Sequence, residues 1–331
     1  MFGLTKNPTY SIGVDVGDDN LKIVQLGNNG NGIILVAGGL ESRPDYVIPG
    51  SIDWQKWAIE ALRRLTANGN FRGKDVIAAI PAGDLFIDHI RVPRMNDELQ
   101  NNKKGAWEPS DKLTDTIFSK IKQKLPFEPV KENTMIKYIQ TEDDNALVMA
   151  TERKIIDRHL ALYENAGLRI KTIGVWPAAL TSIYVKFFGR RKTDIDAIVM
   201  LICMETNCTN VVICRHKNLI FARSISIGIN QVDDEKILTR LVMELSACKR
   251  QFSSMLRNAQ IERLVFLSSQ AIDREICTTI AKHLEMPAQM GDCLAAVEIT
   301  DPSHLGIDRR TADHNGKQQI NWATAFGLSL S

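Results

Sequence analysis

The sequence predicts a two-lobed α/β protein built by duplicating one unit. Three observations carry that expectation. Each half opens with three strand-like runs separated by tight turns. A long amphipathic helix follows each trio, and strand and helix then alternate. At 331 residues the chain is long enough for two such units and can bury a sizeable core without disulfide or metal. It is 44% hydrophobic and 24% charged with a formal net charge of +2, which argues against a protein dominated by nucleic-acid binding. No apolar run approaches the roughly 20 residues of a membrane span. The start, Met1 to Lys6, lacks the continuous apolar stretch of a secretory signal. The six cysteines form no CxxC pair, and their spacing gives no support for zinc, so reduced core thiols are expected.

Taken in order, Tyr10 to Val16 and Asn20 to Leu26 read as strands joined by a turn at Gly17-Asp18-Asp19, and Gly32 to Ala37 as a third. Trp54, Trp57, Ala58, Ala61, Leu62 and Leu65 then form one helical stripe, which makes the two tryptophans core residues. An inserted module is expected over 75–167. It holds strands at Val76 to Ile80 and Leu85 to Val92, then a polar loop over 96–111 read as disordered. A helix over 113–125 and strands at Met135 to Thr141 and Ala146 to Ala150 follow. Thr151 is expected to cap a helix that stops at Gly167. The first pattern resumes with a strand at Arg169 to Val175 and a helix from Pro177 to Phe187. Arg190-Arg191-Lys192 reads as a solvated linker. The second half offers strands over 197–203, 209–215 and 219–227 and a helix over 233–256. A strand over 263–267 and a helix over 272–284 complete it.

Such a duplication turns the first hairpin of each lobe toward a shared cleft. There, turn amides can cradle a phosphate, a carboxylate such as Asp15 can hold hydrated magnesium, and Lys22 can offset phosphate charge. Taken alone, Asp15 to Asp19 is equally a plain polar turn.

Several segments, in order, resemble one family. They are Ile12-Gly13-Val14-Asp15-Val16-Gly17 with Leu21-Lys22-Ile23-Val24, then Val76 to Pro81, Ile90 to Met95 and Leu125-Pro126-Phe127-Glu128. Ala161 to Leu168, Pro177-Ala178-Ala179-Leu180, Met243-Glu244-Leu245 and Ala325-Phe326-Gly327-Leu328 complete the set. Over nearly the whole chain the sequence resembles the PilM proteins of type IV pilus assembly, relatives of FtsA in the actin-like ATPase superfamily. The resemblance implies an actin-like (ribonuclease H-like, duplicated) fold. Its first lobe would be 8–74 plus 168–195, its inserted FtsA/PilM-type subdomain 75–167 and its second lobe 196–331. It also implies a cytoplasmic adaptor at the inner face of the inner membrane, reaching the membrane only through partners. Those partners would be the N-terminal tail of a PilN-like protein, other pilus platform proteins or an assembly ATPase. The tail would lie between the inserted subdomain and the first lobe. No nucleic acid is expected, and no groove residue is assigned.

By the same resemblance, ATP and magnesium would sit in the cleft, yet neither is expected to be required. Asp18 and Asp19 stand where small hydroxyl residues are usual. The second hairpin, Cys203-Met204-Glu205-Thr206-Asn207, lacks the expected acid and glycine, and Met204 would crowd the phosphate. Gly174 and Trp176 replace an acidic pair, and Ser268-Ser269 a glycine pair near the adenosine. The expectation is a scaffold with no catalytic residue. Weak nucleotide contacts are expected at Asp15, Gly17, Asp18, Asp19, Asn20, Lys22, Glu205, Thr206, Asn207, Ser268 and Ser269, with magnesium at Asp15. An active ATPase with the same partners is the alternative.

Overall fold

The computed structural model describes residues 8–17, 19–92, 111–141, 144–256, 258–268, 274–299 and 321–331. The expected disordered loop therefore lies almost entirely outside the described residues, as do Asp18 and Ser269. In the first half come β1 (Thr9–Val16), β2 (Asn20–Asn28), β3 (Ile33–Ser42), α1 (Ile52–Asn68) and β4 (Asp75–Ile80). Next are β5 (Phe86–Arg91), α2 (Asp111–Ile121), β6 (Thr134–Gln140), β7 (Asn145–Glu152) and α3 (Arg153–Asn165). Then come β8 (Arg169–Val175) and α4 (Trp176–Ile183), which runs on into a wider π turn, Tyr184–Phe188. The second half holds β9 (Ile198–Met204), β10 (Thr209–Arg215), β11 (Asn218–Ile225), α5 (Glu235–Met255) and β12 (Arg263–Ser268). It closes with α6 (Arg274–Leu284), β13 (Ala288–Asp292), β14 (Glu298–Ile299) and α7 (Ala323–Ser329).

Sheet pairing exposes the duplication. One sheet has the order β14-β3-β2-β1-β4-β8 and another β11-β10-β9-β12-β13. Without β14 the two orders correspond strand for strand: an antiparallel trio, then two parallel strands. The repeat also extends further than the sequence suggested, to a last strand and helix: β8 with α4, β13 with α7.

This correspondence moves the expected boundaries. β4 pairs in parallel with β1 and β8, so it belongs to the first sheet, not to a module beginning at 75. α3 packs on α1 through Leu162 and Tyr163 and is the counterpart of α6. The inserted sheet, β5-β7-β6, thus lies between β4 and α3. Nor does the second lobe keep everything after 196: β14 pairs with β3, and α7 packs on β1, β2 and α4. Thr151 does not cap α3. Glu152 holds the N-cap position, while the Thr151 hydroxyl donates to the Asp84 carbonyl at 2.8 Å. Gly167 does take the left-handed conformation expected of a helix stop, with φ of +75°.

Alternation along the strands sorts the core into layers. Ile12, Val14, Leu21 and Ile23 face α1 and α3, whereas Val24 and Leu26 face the other way. In the second lobe Met200 and Ile202 face α5 and α6, whereas Val199 and Leu201 face inward. Between the two inward faces lie α4 and α7, which contribute Trp176, Leu180, Ala323 and Phe326 to one shared apolar core. Two glycines allow α7 to seat there. A Cβ on Gly13 would overlap the Ala325 carbonyl, and one on Gly327 would overlap that of Ala179.

The inserted sheet also touches the second lobe. His89 of β5 stacks on Phe221 of β11, with centroids 4.3 Å apart and planes 10° apart, and its Nε2 accepts from the Ala222 amide at 3.4 Å. Asn145 donates to the Met255 carbonyl at 3.2 Å. Among the described residues no helix is long and apolar enough to cross a membrane. All six cysteines are free, and five are buried.

This packing can be tested at two points. Gly13→Ala is expected to cost at least the ~1–3 kcal/mol typical of overpacking, because the atoms in the way are backbone; the urea midpoint measures it. The second test uses acid. Burial pushes His89 down to about 4, with Asp88 opposing, and burial with Arg158 pushes His159 down to about 4. Both are held neutral in the fold, so their stabilisation is complete above about pH 6.5 and drains away as pH falls toward 4. Urea midpoints at pH 7 and 4.5 should differ less in His159→Phe than in the parent.

Candidate functional site

The same alternation that builds the core assembles the cleft. Asp15 and Lys22 are cross-strand partners on the inward face of the β1–β2 hairpin, in step with Gly13 and Val24. On β9, Cys203 faces inward while Met204 joins the outer core, so the next residue, Glu205, faces the cleft. This corrects one expectation: Met204 does not crowd the phosphate end. Glu205, expected at the cleft, lines it.

Lys22 ties these elements together. Its ammonium lies 2.8 Å from Asp15 Oδ2 and 3.0 Å from Glu205 Oε2, and donates to the Asn321 carbonyl at 2.8 Å. Its side chain is only 5% exposed. Burial alone would lower its pKa, but Asp15 and then Glu205 overcome that and raise it well above the ordinary lysine range. Burial raises the Glu205 carboxyl, and Lys22 opposes the rise. A lysine charged this firmly between two acids is a structural cation.

A second bridge runs beside it. Asp19 accepts from Asn207 Nδ2 of the facing hairpin and pairs with Arg43 Nη2 at 3.3 Å. Two of the turn amides are engaged as well: Gly17 N–H donates to Asn20 O at 2.9 Å, and Glu205 N–H to Cys208 O at 2.8 Å. Around these groups lies a cavity of about 650 Å³, also lined by Trp176, Thr206, Arg223 and the inserted segment from Pro81 to Ile87. Asn20 lines it too, and its buried Oδ1 has no partner among the described residues. Ser268 ends β12 beside Asp292 of β13, one residue past Leu267, which pairs with Cys203 of β9.

In this arrangement the groups that would meet a triphosphate and magnesium are engaged within the chain. Lys22 is saturated, Asp15 is engaged by it, and the two turn amides donate internally. Asp19 and Glu205 add negative charge where phosphates would lie, worth about 1 kcal/mol of repulsion per pair at 4 Å in water and more in a drier cleft. The orphaned acceptor on Asn20 suits a donor, not a phosphate oxygen. Among the described residues no cluster of three or more His, Cys, Asp or Glu side chains is placed to hold a metal.

Sequence reasoning missed Asn321. Its Nδ2 donates to Met204 O at 3.1 Å and Leu267 O at 2.9 Å and approaches Cys203 Sγ at 3.4 Å. Its Oδ1 accepts from the Ala323 amide at 3.0 Å, which shapes the start of α7. Arg43 was also missed, as was Arg158. Arg158 donates to the Gly50 carbonyl at 3.1 Å, pairs with Asp84 at 3.0 Å and lies 5.3 Å over the Trp54 ring.

Known proteins share this arrangement of lobes and hairpins. The family model described as "Type IV pilus assembly protein PilM" matches residues 13–255, well over half of the chain. The chain belongs to the PilM family. It has the actin-like fold of that family. Among solved structures, a PilM–PilN type IV pilus biogenesis complex matches with a TM-score of 0.72 at 16% identity, covering 97% of this chain and 98% of that chain. Ethanolamine utilization protein EutJ from Carboxydothermus hydrogenoformans matches with a TM-score of 0.48 at 12% identity, over 98% of this chain and 90% of that one. The cytoplasmic domain of EpsL, an inner membrane component of the type II secretion system of Vibrio cholerae, gives 0.48 at 11%, over 82% and 94%. At those scores neither EutJ nor EpsL bears on function. No curated protein matches the chain. In this cleft the Asn321–Lys22–Glu205 junction ties the two hairpins to the start of α7. Asn321→Ala should cost about 1–3 kcal/mol in urea unfolding, because it strands the buried carbonyls of Met204 and Leu267.

Proposed function

We propose that this PilM-family protein is a cytoplasmic adaptor that captures the N-terminal tail of a PilN-like inner-membrane protein and needs no nucleotide to do so. Family membership supports the setting, type IV pilus assembly. A complex of PilM with PilN supports the class of partner.

The observation that carries the reading for this chain is a fixed loop with bare apolar side chains. Tyr46, Ile48 and Ile52 are 85%, 71% and 74% exposed. Arginines pin the loop at both ends. Arg43 donates to the Pro44 and Val47 carbonyls, and Arg158 grips Gly50 while pairing with Asp84 beside the inserted sheet. An apolar cluster held rigid at the border of two subdomains loses little entropy on binding, which suits a few buried anchors on an extended tail. Asp45 and Asp53 flank the cluster and match the basic character usual of cytoplasmic segments next to a membrane span.

A pull-down with the cytoplasmic tail of the neighbouring PilN-like protein should retain the full chain. Ile48→Ser and Tyr46→Ala should each weaken capture about tenfold or more without moving the urea midpoint, since neither side chain is buried. A tail that leaves the parent chain unbound would sink the reading. The cavity keeps the ATPase alternative in view, because its volume is in the range of small-molecule sites. That alternative requires Mg-ATP binding by calorimetry and hydrolysis that falls in Asp15→Ala.

A further inference from the structure

We infer that Lys22 is a built-in substitute for the cation and polyphosphate of a nucleotide-operated cleft, holding the two lobes shut from within whether or not nucleotide is present. This rests on the nucleotide-independent reading of the adaptor and adds the device that makes it workable.

The geometry has three parts. First, the ammonium spans the cleft: Lys22 and Asp15 are on the first lobe's hairpin, and Glu205, 183 residues beyond Lys22, is on the second's. Second, a side-chain hydrogen bond backs it, since Asn207 donates to Asp19 across the same gap and Asp19 is itself held by Arg43. Third, Asn321 makes the connection three-way. Its carbonyl accepts from Lys22, and its side chain holds the ends of β9 and β12 through Met204 O and Leu267 O. In a cleft worked by ligand, the lobes would face each other across phosphates and metal, and closure would depend on occupancy. Here one ammonium already answers both facing carboxylates. Opening would strand a nearly buried lysine beside one acid and leave Glu205 without a counter-charge, so the closed arrangement carries its own restoring force. The inserted sheet reinforces it through the His89–Phe221 stack.

Hydrogen–deuterium exchange on the full chain tests this, with Gly17–Asn20 and Glu205–Cys208 as reporters. Lys22→Ala should speed exchange at both turns by at least tenfold, while strands β2 and β9 stay protected. If Lys22→Ala fails to fold, Glu205→Gln serves. It keeps an acceptor but removes the charge that crosses the cleft, and it should speed both turns in the same sense. Millimolar Mg-ATP should leave the parent's exchange unchanged. Two results would overturn the inference: Mg-ATP slowing exchange at both turns of the parent, or both turns exchanging at the parent's rate in the two variants. Tail capture is scored in parallel. Turns that loosen as expected in a chain that captures no tail would keep the lock and reject the adaptor. Tail capture with unaltered turns would do the reverse.

Discussion

A buried ammonium has to be neutralised where it stands, and the cost of failing to do so is several kilocalories per mole. Lys22 sits at the one point where both hairpins and the approach to α7 converge, with a carboxylate on either side and a carbonyl completing its shell. The two β-trios must therefore meet in one register and at one separation, or the charge is left uncompensated. The apolar layer of α4 and α7 holds the lobes together without direction, since hydrophobic contact tolerates sliding. The lysine junction supplies the direction. Packing sets how strongly the halves adhere, and electrostatics sets where.

The negative charge at the hairpin turns is answered within the chain. Asp15 keeps the place expected of a metal-holding acid but neutralises an ammonium, and Asp19 stands where a hydroxyl was expected yet bridges to Asn207. Glu205 supplies an acid from the opposite hairpin. Asp15, Asp19 and Glu205 each have a partner inside the chain. Fixed lobes in turn give the loop carrying Tyr46 and Ile48 a stationary base, because Arg43 joins that loop directly to Asp19.

Local pattern made much of this legible beforehand. Period-2 alternation announced both trios, and the stripe through Trp54 and Leu62 announced α1. The inward aim of Glu205 was also available from alternation, since Met200, Ile202 and Met204 share the outer face. Other features were not legible. Ala288 to Asp292 has no β-branched residue and became a strand only because β12 offered it a parallel edge. Thr151 looked like a cap, but a tertiary acceptor, the Asp84 carbonyl, claimed its hydroxyl. The Lys22–Asn321 contact spans 299 residues, and nothing local marks either end. The module boundary was misplaced because a strand looks the same whichever sheet it joins.

The return of α7 to the first sheet also bears on how the chain is made. Ser329 accepts from the Leu26 amide at 3.1 Å and donates to the Ser11 carbonyl at 2.8 Å, so β1 and β2 wait for a residue about 300 positions later. During synthesis at about 5–20 residues per second, the inward face of β1 and β2 stays bare for some ten seconds or more after it leaves the ribosome. The inserted sheet, by contrast, has its own core of Ile90, Ile117, Val148 and their neighbours and can collapse as soon as it emerges. A ribosome that stalls late leaves an apolar half-sandwich exposed, the form most open to chaperone capture and degradation.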